Sequence, residues 1–454
     1  MKYISTNPTN GKILKKFFTL TQKELEATLK KSAFAFDINR TSTLTVRAKR
    51  LKALSILLQD RHQELAQIIT LEMGKPITES IAEVIKCISA CEYYAEHGIT
   101  FLEDQPLNSP FTQSMIQYAP MGIILGIMPW NFPFWQVFRF AIPTLMAGNS
   151  VVLKHSTNVP QCAQSIEKLF KDAHFPDGLF QNAFLENEQV SQLIESDSIH
   201  GIAFTGSLRT GSLIAQQAGQ SIKKTVLELG GNDAFIVLKE ANLKEAAETA
   251  VRSRMLNTGQ SCIAAKRWIV DKVVAEPFLA LVKEAVSNLH IDDPQNPATE
   301  LGPMARPDLR DTLLQQIQKS VAQGAKIEMG GHALSGQGNF MQPTILSNVT
   351  PNMPAFEEEL FGPVACLIIA DNDHHAIELA NKSKYGLGAA LWTTDLTKAS
   401  RLAKQLQVGS VFINGMVQSN VHLPFGGIKK SGYGRELGIA GLLEFVNLKS
   451  IVVL

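Results

Sequence analysis

Cys262 closes the segment Asn257-Thr258-Gly259-Gln260-Ser261-Cys262, which follows a helical pattern and precedes a strand-like one. Gly259 and the small polar residues leave little bulk around the thiol and put backbone N–H groups beside it, a setting for a nucleophilic thiolate. A lone cysteine more often packs inertly, so the reading depends on what else the chain brings near. Glu228 ends an apolar run in Leu227-Glu228-Leu229-Gly230-Gly231. A carboxyl buried there has its pKa raised, as suits a general base near neutral pH; a structural salt bridge is the alternative. Asn131 stands in Pro129-Trp130-Asn131-Phe132-Pro133, a loop stiffened by two prolines. Its amide can donate to a developing oxyanion, although an Asx turn is the commoner role. Phe204-Thr205-Gly206-Ser207 with Gly211 reads as strand, turn and helix. Ser207 is placed to cap that helix, whose free N–H groups face an anion. The spacing is not the usual dinucleotide glycine pattern, so this segment is weak evidence alone.

The elements that must position these residues follow from periodicity. Lys23 to Asp37, Leu44 to Met73 and Ile77 to His97 carry apolar residues at three- and four-residue spacing, so the first hundred residues read as helices. From Gly122 short strands alternate with helices: strands at 122–128, 150–154, 179–185, 199–205 and 225–229, helices at 134–146, 161–172, 188–194 and 207–217. That alternation predicts a parallel sheet covered on both faces, with ligands at the carboxyl ends of its strands. A second series begins at Asp233 and runs to Asn414. A chain of 454 residues exceeds what one core holds, so two large α/β domains are expected. The terminal stretch Phe445–Leu454 is strand-like and apolar, an edge that would aggregate if unpaired, so pairing with another subunit is expected.

Formal net charge is +1, which gives no electrostatic reason to bind nucleic acid or an acidic membrane. Five cysteines, Cys87, Cys91, Cys162, Cys262 and Cys366, are too sparse for a disulfide framework and lack metal-ligand spacing. Cys87 and Cys91 are expected in a helix core and Cys366 in a buried strand. His155, His374, His375 and His422 imply no metal. The N-terminus shows no charged region followed by an apolar core, and no apolar stretch reaches the ~18 residues of a membrane span. A cytoplasmic enzyme is the expectation.

Taken together, the segments Pro129–Pro133, Phe204–Ser207, Glu228–Gly231, Asn257–Cys262, Glu358–Val364, and Pro424-Phe425-Gly426-Gly427 with Ser431-Gly432 resemble the aldehyde dehydrogenase superfamily in order and approximate spacing. The likeness covers the chain from about residue 6 to its end. It implies two Rossmann-like α/β domains with a small β oligomerisation arm: residues 1–105 and 120–228 binding the cofactor, 229–424 catalytic, 106–119 and 440–454 forming the arm. It implies Cys262 as nucleophile, Glu228 as general base, and Asn131 with the backbone N–H of Cys262 as oxyanion hole. Lys154 matches the lysine that contacts the adenosine ribose, and Ser207 begins the helix facing the pyrophosphate. Glu359 and Phe361 match residues that hold the nicotinamide ribose and ring. Met128, Pro129, Trp130, Ser156, Thr157, Gly206, Leu229 and Gly230 complete the expected cofactor site. The chemistry implied is attack of Cys262 on an aldehyde, hydride loss to the nicotinamide, and hydrolysis of the thioester by water that Glu228 activates. Relatives that resolve the thioester with CoA typically lack that glutamate. A non-catalytic relative would have lost the nucleophile or the base, and both are present.

Cofactor and substrate follow from departures within this pattern. NAD-preferring relatives often carry a glutamate three residues after the lysine; this chain has His155, Ser156 and Thr157 after Lys154. A carboxylate would repel a 2′-phosphate, whereas the Thr157 hydroxyl with Lys154 can accept it. NADP is therefore expected to serve at least as well as NAD. Arg139 lies eight residues after Asn131 among Trp135, Phe138, Phe140 and Ile142. The two are expected on one face of one helix. A guanidinium buried there calls for an anionic partner, and a substrate carboxylate would supply it through a forked contact; a salt bridge to a protein carboxylate is the alternative. Semialdehyde dehydrogenases of the family carry an arginine here and a serine matching Ser419, so succinic semialdehyde or a close ω-carboxylated aldehyde is the expected substrate, its methylenes walled by Trp135 and Phe425. Some of these enzymes have a second arginine before the Asn-Thr-Gly-Gln segment. Here that residue is Leu256, and selectivity for chain length is expected to be loose. On this basis, losing Arg139 should harm the acid substrate only. A homodimer or homotetramer is expected.

Overall fold

The computed structural model describes residues 2–454. Two sheets dominate. The first has six strands in the order Gly432–Tyr433, Lys224–Glu228, Gly201–Thr205, Ile123–Met128, Ser150–His155 and Phe180–Asn182. All pair in parallel except the short edge strand Gly432–Tyr433, which runs antiparallel to Lys224–Glu228. The second has seven strands, in the order Lys326–Met329, Thr344–Ser347, Val364–Ala370, Arg267–Asp271, Ala234–Val237, Gly388–Trp392 and Ser410–Ile413. Only its first pair is antiparallel. Nearly every residue of the central strands is buried, because helices cover both faces of each sheet, as continuous apolar runs require.

Parallel register aligns the strand ends that matter. Met128 pairs with His155, and Thr205 with Glu228, so the loops bearing Pro129–Pro133, Ser156–Thr157, Gly206–Ser207 and Leu229–Gly231 leave one edge together. This is the carboxyl edge, where doubly wound sheets hold ligands. The helices expected in the first hundred residues are Gln22–Thr41, Leu44–Met73 and Ile77–Phe101. Thr21 opens the first with a capping box to Glu24, and Gly74, at φ 87°, closes the second.

Three sequence expectations need correction. The first hundred residues do not begin helical: Lys2–Thr6 and Ile13–Phe18 form an antiparallel hairpin. Its turn is set by Asn7, whose side chain accepts from the Thr9 N–H, and by Gly11 at φ 72°. The terminal strand Val446–Val453 does not depend on another subunit for all its pairing. It pairs over its full length with Gln113–Pro120 of the same chain, which also pairs with Gln105–Pro106. Its other edge stays open, with Leu448, Val452 and Val453 exposed. Asn131 is not on the helix that carries Arg139. That helix spans Trp135–Met146, and Asn131 precedes it in a turn. No local side chain caps this helix; Glu83, from the helix Ile77–Phe101, accepts from the N–H groups of Phe134 and Trp135 at 2.8 and 2.9 Å. Cys87, Cys91 and Cys366 are buried where core packing was expected. Among the described residues no helix is long and apolar enough to cross a membrane.

Candidate active site

The nucleophile loop leaves the helix Leu243–Met255 through three consecutive left-handed residues: Asn257 at φ 60°, Thr258 at 53° and Gly259 at 68°. For a β-branched residue such as Thr258 this backbone is costly, of order 1–3 kcal/mol, so surrounding contacts must impose it. They do. The N–H of Asn257 donates to Glu79 at 2.7 Å, and its amide donates to the carbonyls of Asn131 and Gln260 at 2.8 and 3.0 Å. Arg254, fully buried, reaches the carbonyls of Gly259, Leu360, Gly362 and Val364. A Cβ on Gly259 would meet Gly362 at 2.4 Å. The loop is thereby fastened to the segment bearing Glu359 and Phe361. Lys266, four residues beyond Cys262, donates to the carbonyls of Ser261 and Cys262 at 2.9 and 2.7 Å and lies 3.5 Å from Glu359.

Burial pushes the Cys262 thiol up to about 12, against the pull of Arg139 and Lys266. Glu228 is 2% exposed, and neither of its oxygens has a hydrogen-bond partner. Burial, then Glu436, holds its carboxyl well above the ordinary range, opposed by Arg139 and Arg435. The raised direction matches the sequence reading, and the alternative of a structural salt bridge at Glu228 is not what the chain forms. The ion pair is elsewhere: Arg139 binds Glu436. This corrects the expectation that Arg139 lacks a protein partner. Glu436 closes against Phe425 through paired backbone hydrogen bonds of 2.6 and 2.8 Å, which deliver a carboxylate to the buried arginine from far along the chain.

Cys262 lines two cavities. The first gathers Pro129, Trp130, Asn131, Thr205, Gly206, Ser207, Leu229, Gly230, Glu359 and Phe361, the greater part of the expected cofactor set. Ser207 caps the helix Leu208–Gln220, its Oγ accepting from the Thr210 N–H. Trp130 and Phe361 meet edge to face, 5.9 Å between centroids. Glu359 accepts from the Gly231 N–H at 3.0 Å, and a Cβ on Gly230 would fall 2.3 Å from its carboxylate. Asn131 donates to the Gln260 carbonyl at 3.0 Å, which holds its amide in the wall beside Cys262. Met128, Lys154, Ser156 and Thr157 lie off this cavity. Met128 is buried at its strand end, and Lys154 sits 5.9 Å from the Tyr3 ring centroid. Ser156 donates to Asn158 at 2.7 Å. Burial lowers His155 to about 4, so it is neutral, and its ring bonds the Pro133 carbonyl at 2.8 Å.

The second cavity gathers Trp135, Arg139, Ser419 and Phe425 with Cys262, the whole expected substrate set. Arg139 stacks on Phe425 at 4.4 Å. Leu256 lines it, and so do four charged residues that sequence reasoning missed: Glu79, Glu83, Lys86 and Arg252. Ser419 accepts from Lys86 at 2.7 Å and from the Trp135 indole at 3.0 Å. A signal for Glu79, Glu83 and Lys86 was present, since their four- and three-residue spacing makes one polar stripe on a mainly apolar helix. Glu436 had none, because its partner is almost three hundred residues away.

The residues around the first cavity fit a dinucleotide: a helix N-terminus for phosphate, an acid for ribose hydroxyls and an aromatic wall. Residues 1–451 match the aldehyde dehydrogenase family, and the chain belongs to it. Among its relatives, a succinate semialdehyde dehydrogenase (NAD(P)+) of Escherichia coli (strain K12) is 46% identical over 448 residues, 99% of this chain and 97% of that one. A probable succinate-semialdehyde dehydrogenase (NADP+) of Synechocystis sp. is 45% identical over 451 residues, covering 99% of each. The crystal structure of succinic semialdehyde dehydrogenase from Streptococcus pyogenes in complex with NADP+ superposes with a TM-score of 0.98, at 36% identity and 99% coverage of both chains. The fold is thus the α/β aldehyde dehydrogenase fold that the motifs implied.

Proposed function

We propose that this chain oxidises succinic semialdehyde, or a close ω-carboxylated aldehyde, to the acid, using NADP and also accepting NAD. One observation carries the reading: Cys262 stands where a dinucleotide-shaped cavity meets a second one walled by Trp135 and Phe425 and bordered by Lys86, Arg139 and Arg252. Three cations and two acids, Glu79 and Glu83, line the second cavity; with Arg139 joined to Glu436 and Glu83 to Lys75, Lys86 and Arg252 remain against Glu79, a balance that favours a substrate with an anionic tail. The names of the relatives above point the same way.

In this reading Cys262 attacks the aldehyde carbon, and the oxyanion is held by the Asn131 amide and the Cys262 N–H. A bound nicotinamide would supply the acceptor for the hydride that leaves that carbon. Ser207, with the helix it caps, would hold the phosphates, Glu359 the ribose, Phe361 the ring, and Lys154 with Thr157 the 2′-phosphate. Met128, Pro129, Trp130, Ser156, Gly206, Leu229 and Gly230 supply backbone and walls. Burial disfavours the charged forms of both Cys262 and Glu228 in the free protein. Cys262 attacks as the thiolate, its proton passing to solvent, and the carboxylate form of Glu228 takes a proton from the water whose oxygen adds to the thioester carbon; the C–S bond then breaks, returning the Cys262 thiolate and releasing the acid. Glu228 favours water over CoA as the acceptor of the acyl group.

The cofactor-binding part comprises 1–105 and 120–228, the catalytic part 229–424, and the arm 106–119 with 440–454. The open edge of Val446–Val453 supports assembly into at least a dimer. Five free cysteines agree with a reducing compartment such as the cytoplasm. The test is formation of reduced nicotinamide with succinic semialdehyde and butyraldehyde, each with NADP or NAD and with or without CoA. The expected result is a preference for the acid, NADP serving at least as well as NAD, and no need of CoA. A preference for butyraldehyde overturns the substrate assignment, and dependence on CoA overturns the hydrolysis.

A further inference from the structure

The fully buried cations among the described residues are matched. Lys75 pairs with Glu83 at 2.5 Å, Arg139 with Glu436, and Lys266 with Glu359 and two carbonyls. Arg254 and Arg267 are caged by backbone carbonyls. Of the half-buried lysines, Lys154 has only the Tyr3 ring and lies off the cavities that hold Cys262, and the one that borders such a cavity is Lys86. Its ammonium has one hydrogen bond, to the neutral Ser419 hydroxyl, and a ring face, Trp135 at 4.7 Å. Among the described residues it forms no ion pair. Glu83, the acid one turn before it, is already engaged by Lys75 and by the N–H groups of Phe134 and Trp135. An ammonium has three donors, and one held out of water without a counter-ion is costly.

We infer that Lys86, not Arg139, is the principal ligand of the substrate's distal carboxylate, and so the residue that selects an acid aldehyde over a neutral one. The inference rests on the substrate reading above. Lys86 borders the same cavity as Cys262, beside the Trp135 and Phe425 walls. Ser419 receives both the ammonium and the Trp135 indole, which fixes the lysine head at one place in the cavity wall. Arg139 is not equally free. Its charge is joined to Glu436, next to Glu228, and turning it toward a substrate would leave two buried carboxyls facing each other. The two cations therefore divide the work: Arg139 offsets the acids around the base, and Lys86 meets the acid that arrives. Burial, first, and then Arg139 lower the lysine to about 8, while Cys87, Glu83 and Cys262 oppose. A bound carboxylate reverses that shift, so binding and protonation reinforce one another.

The test compares the wild-type enzyme with Lys86→Met, Lys86→Gln and Lys86→Arg, using saturating NADP and either succinic semialdehyde or butyraldehyde. In the Met and Gln variants kcat/KM for the acid should fall about 10- to 100-fold, as for loss of a hydrogen-bonded charge, with most of the change in KM. Butyraldehyde turnover in the same preparations should stay within about threefold, and this also reports that the site is folded. Lys86→Arg should retain most of the acid preference. A wild-type enzyme with no acid preference overturns the substrate reading and this inference together. A wild-type preference that survives in Lys86→Met and Lys86→Gln, or losses equal on both aldehydes in both variants, overturns the role of Lys86 and leaves the substrate reading standing.

Discussion

Arg139→Ala tests the division between the two cations from the other side. Arg139 and Glu436 are 2% and 4% exposed. Deleting the guanidinium leaves Glu436 stranded beside Glu228, with Arg435 still opposing the rise at that base. Removing one partner of a buried pair costs about 3–5 kcal/mol, because the other charge stays where water cannot reach it. A chain of 454 residues unfolds with an entropy of about 0.95 kcal/mol/K, so the loss should lower Tm by about 3–5 °C. Adding Glu436→Gln removes the stranded charge and should restore at least half of that drop. The kinetics should change as well. Arg139 holds the Glu228 carboxyl down, so without it that pKa climbs further and the basic form becomes scarcer at neutral pH. Release of the acyl group should slow for succinic semialdehyde and butyraldehyde alike, and the rising limb of the pH–rate profile should move to higher pH. Thermal unfolding and pH profiles on both aldehydes measure this. The motifs alone led to a loss confined to the acid substrate. That outcome, together with an unchanged Tm, would refute the argument and return Arg139 to the role of carboxylate ligand.

The other predictions address chemistry, cofactor and pH. Cys262→Ala should abolish turnover while cofactor binding, followed by fluorescence titration, persists. Glu228→Gln should release one burst of reduced cofactor and then stall, its steady-state rate down about 10²- to 10⁴-fold; full steady-state turnover in either variant excludes the assigned role. Thr157→Glu should shift the ratio of kcat/KM for NADP over NAD at least about tenfold toward NAD by repelling the 2′-phosphate, and an unchanged ratio would remove Thr157 from the cofactor site. The preference for acid over neutral aldehyde should decline as pH rises. Lys86, held to about 8 by burial, is charged below that value and neutral above it. Glu79, raised to about 7 by burial, turns anionic in the same cavity over the preceding unit. Both changes disfavour a carboxylate; Glu83, Arg139 and Arg252 are the other charged groups that line the cavity. In Lys86→Met the step near pH 8 should vanish and the one near 7 remain, and a preference that rises with pH would contradict both assignments.

Much of the candidate site was legible in the order of residues, because its parts are local. A helix cap such as Ser207, a glycine and small polar residues before a cysteine, and a carboxyl at the end of an apolar strand each need only a few neighbours to declare themselves. Alternating apolar segments were enough to give two parallel sheets, since burial on both faces demands them. The N-terminal hairpin was missed because its strands are short and half exposed, and a weak period of two is easily overlooked beside strong helices. The charge pairing was not legible at all. Arg139 looked unpartnered from its neighbours in sequence, and only the return of the chain past Phe425 brings Glu436 to it. Nothing among its sequence neighbours marks Lys86; the fold closes Trp135, Ser419 and the Cys262 loop around it. Residue types determine which groups can ionise, donate or attack. Which ion meets which, and which is left without a partner at the mouth of a cavity, depends on long-range packing, since electrostatic energy is set by distance and burial and not by position along the chain.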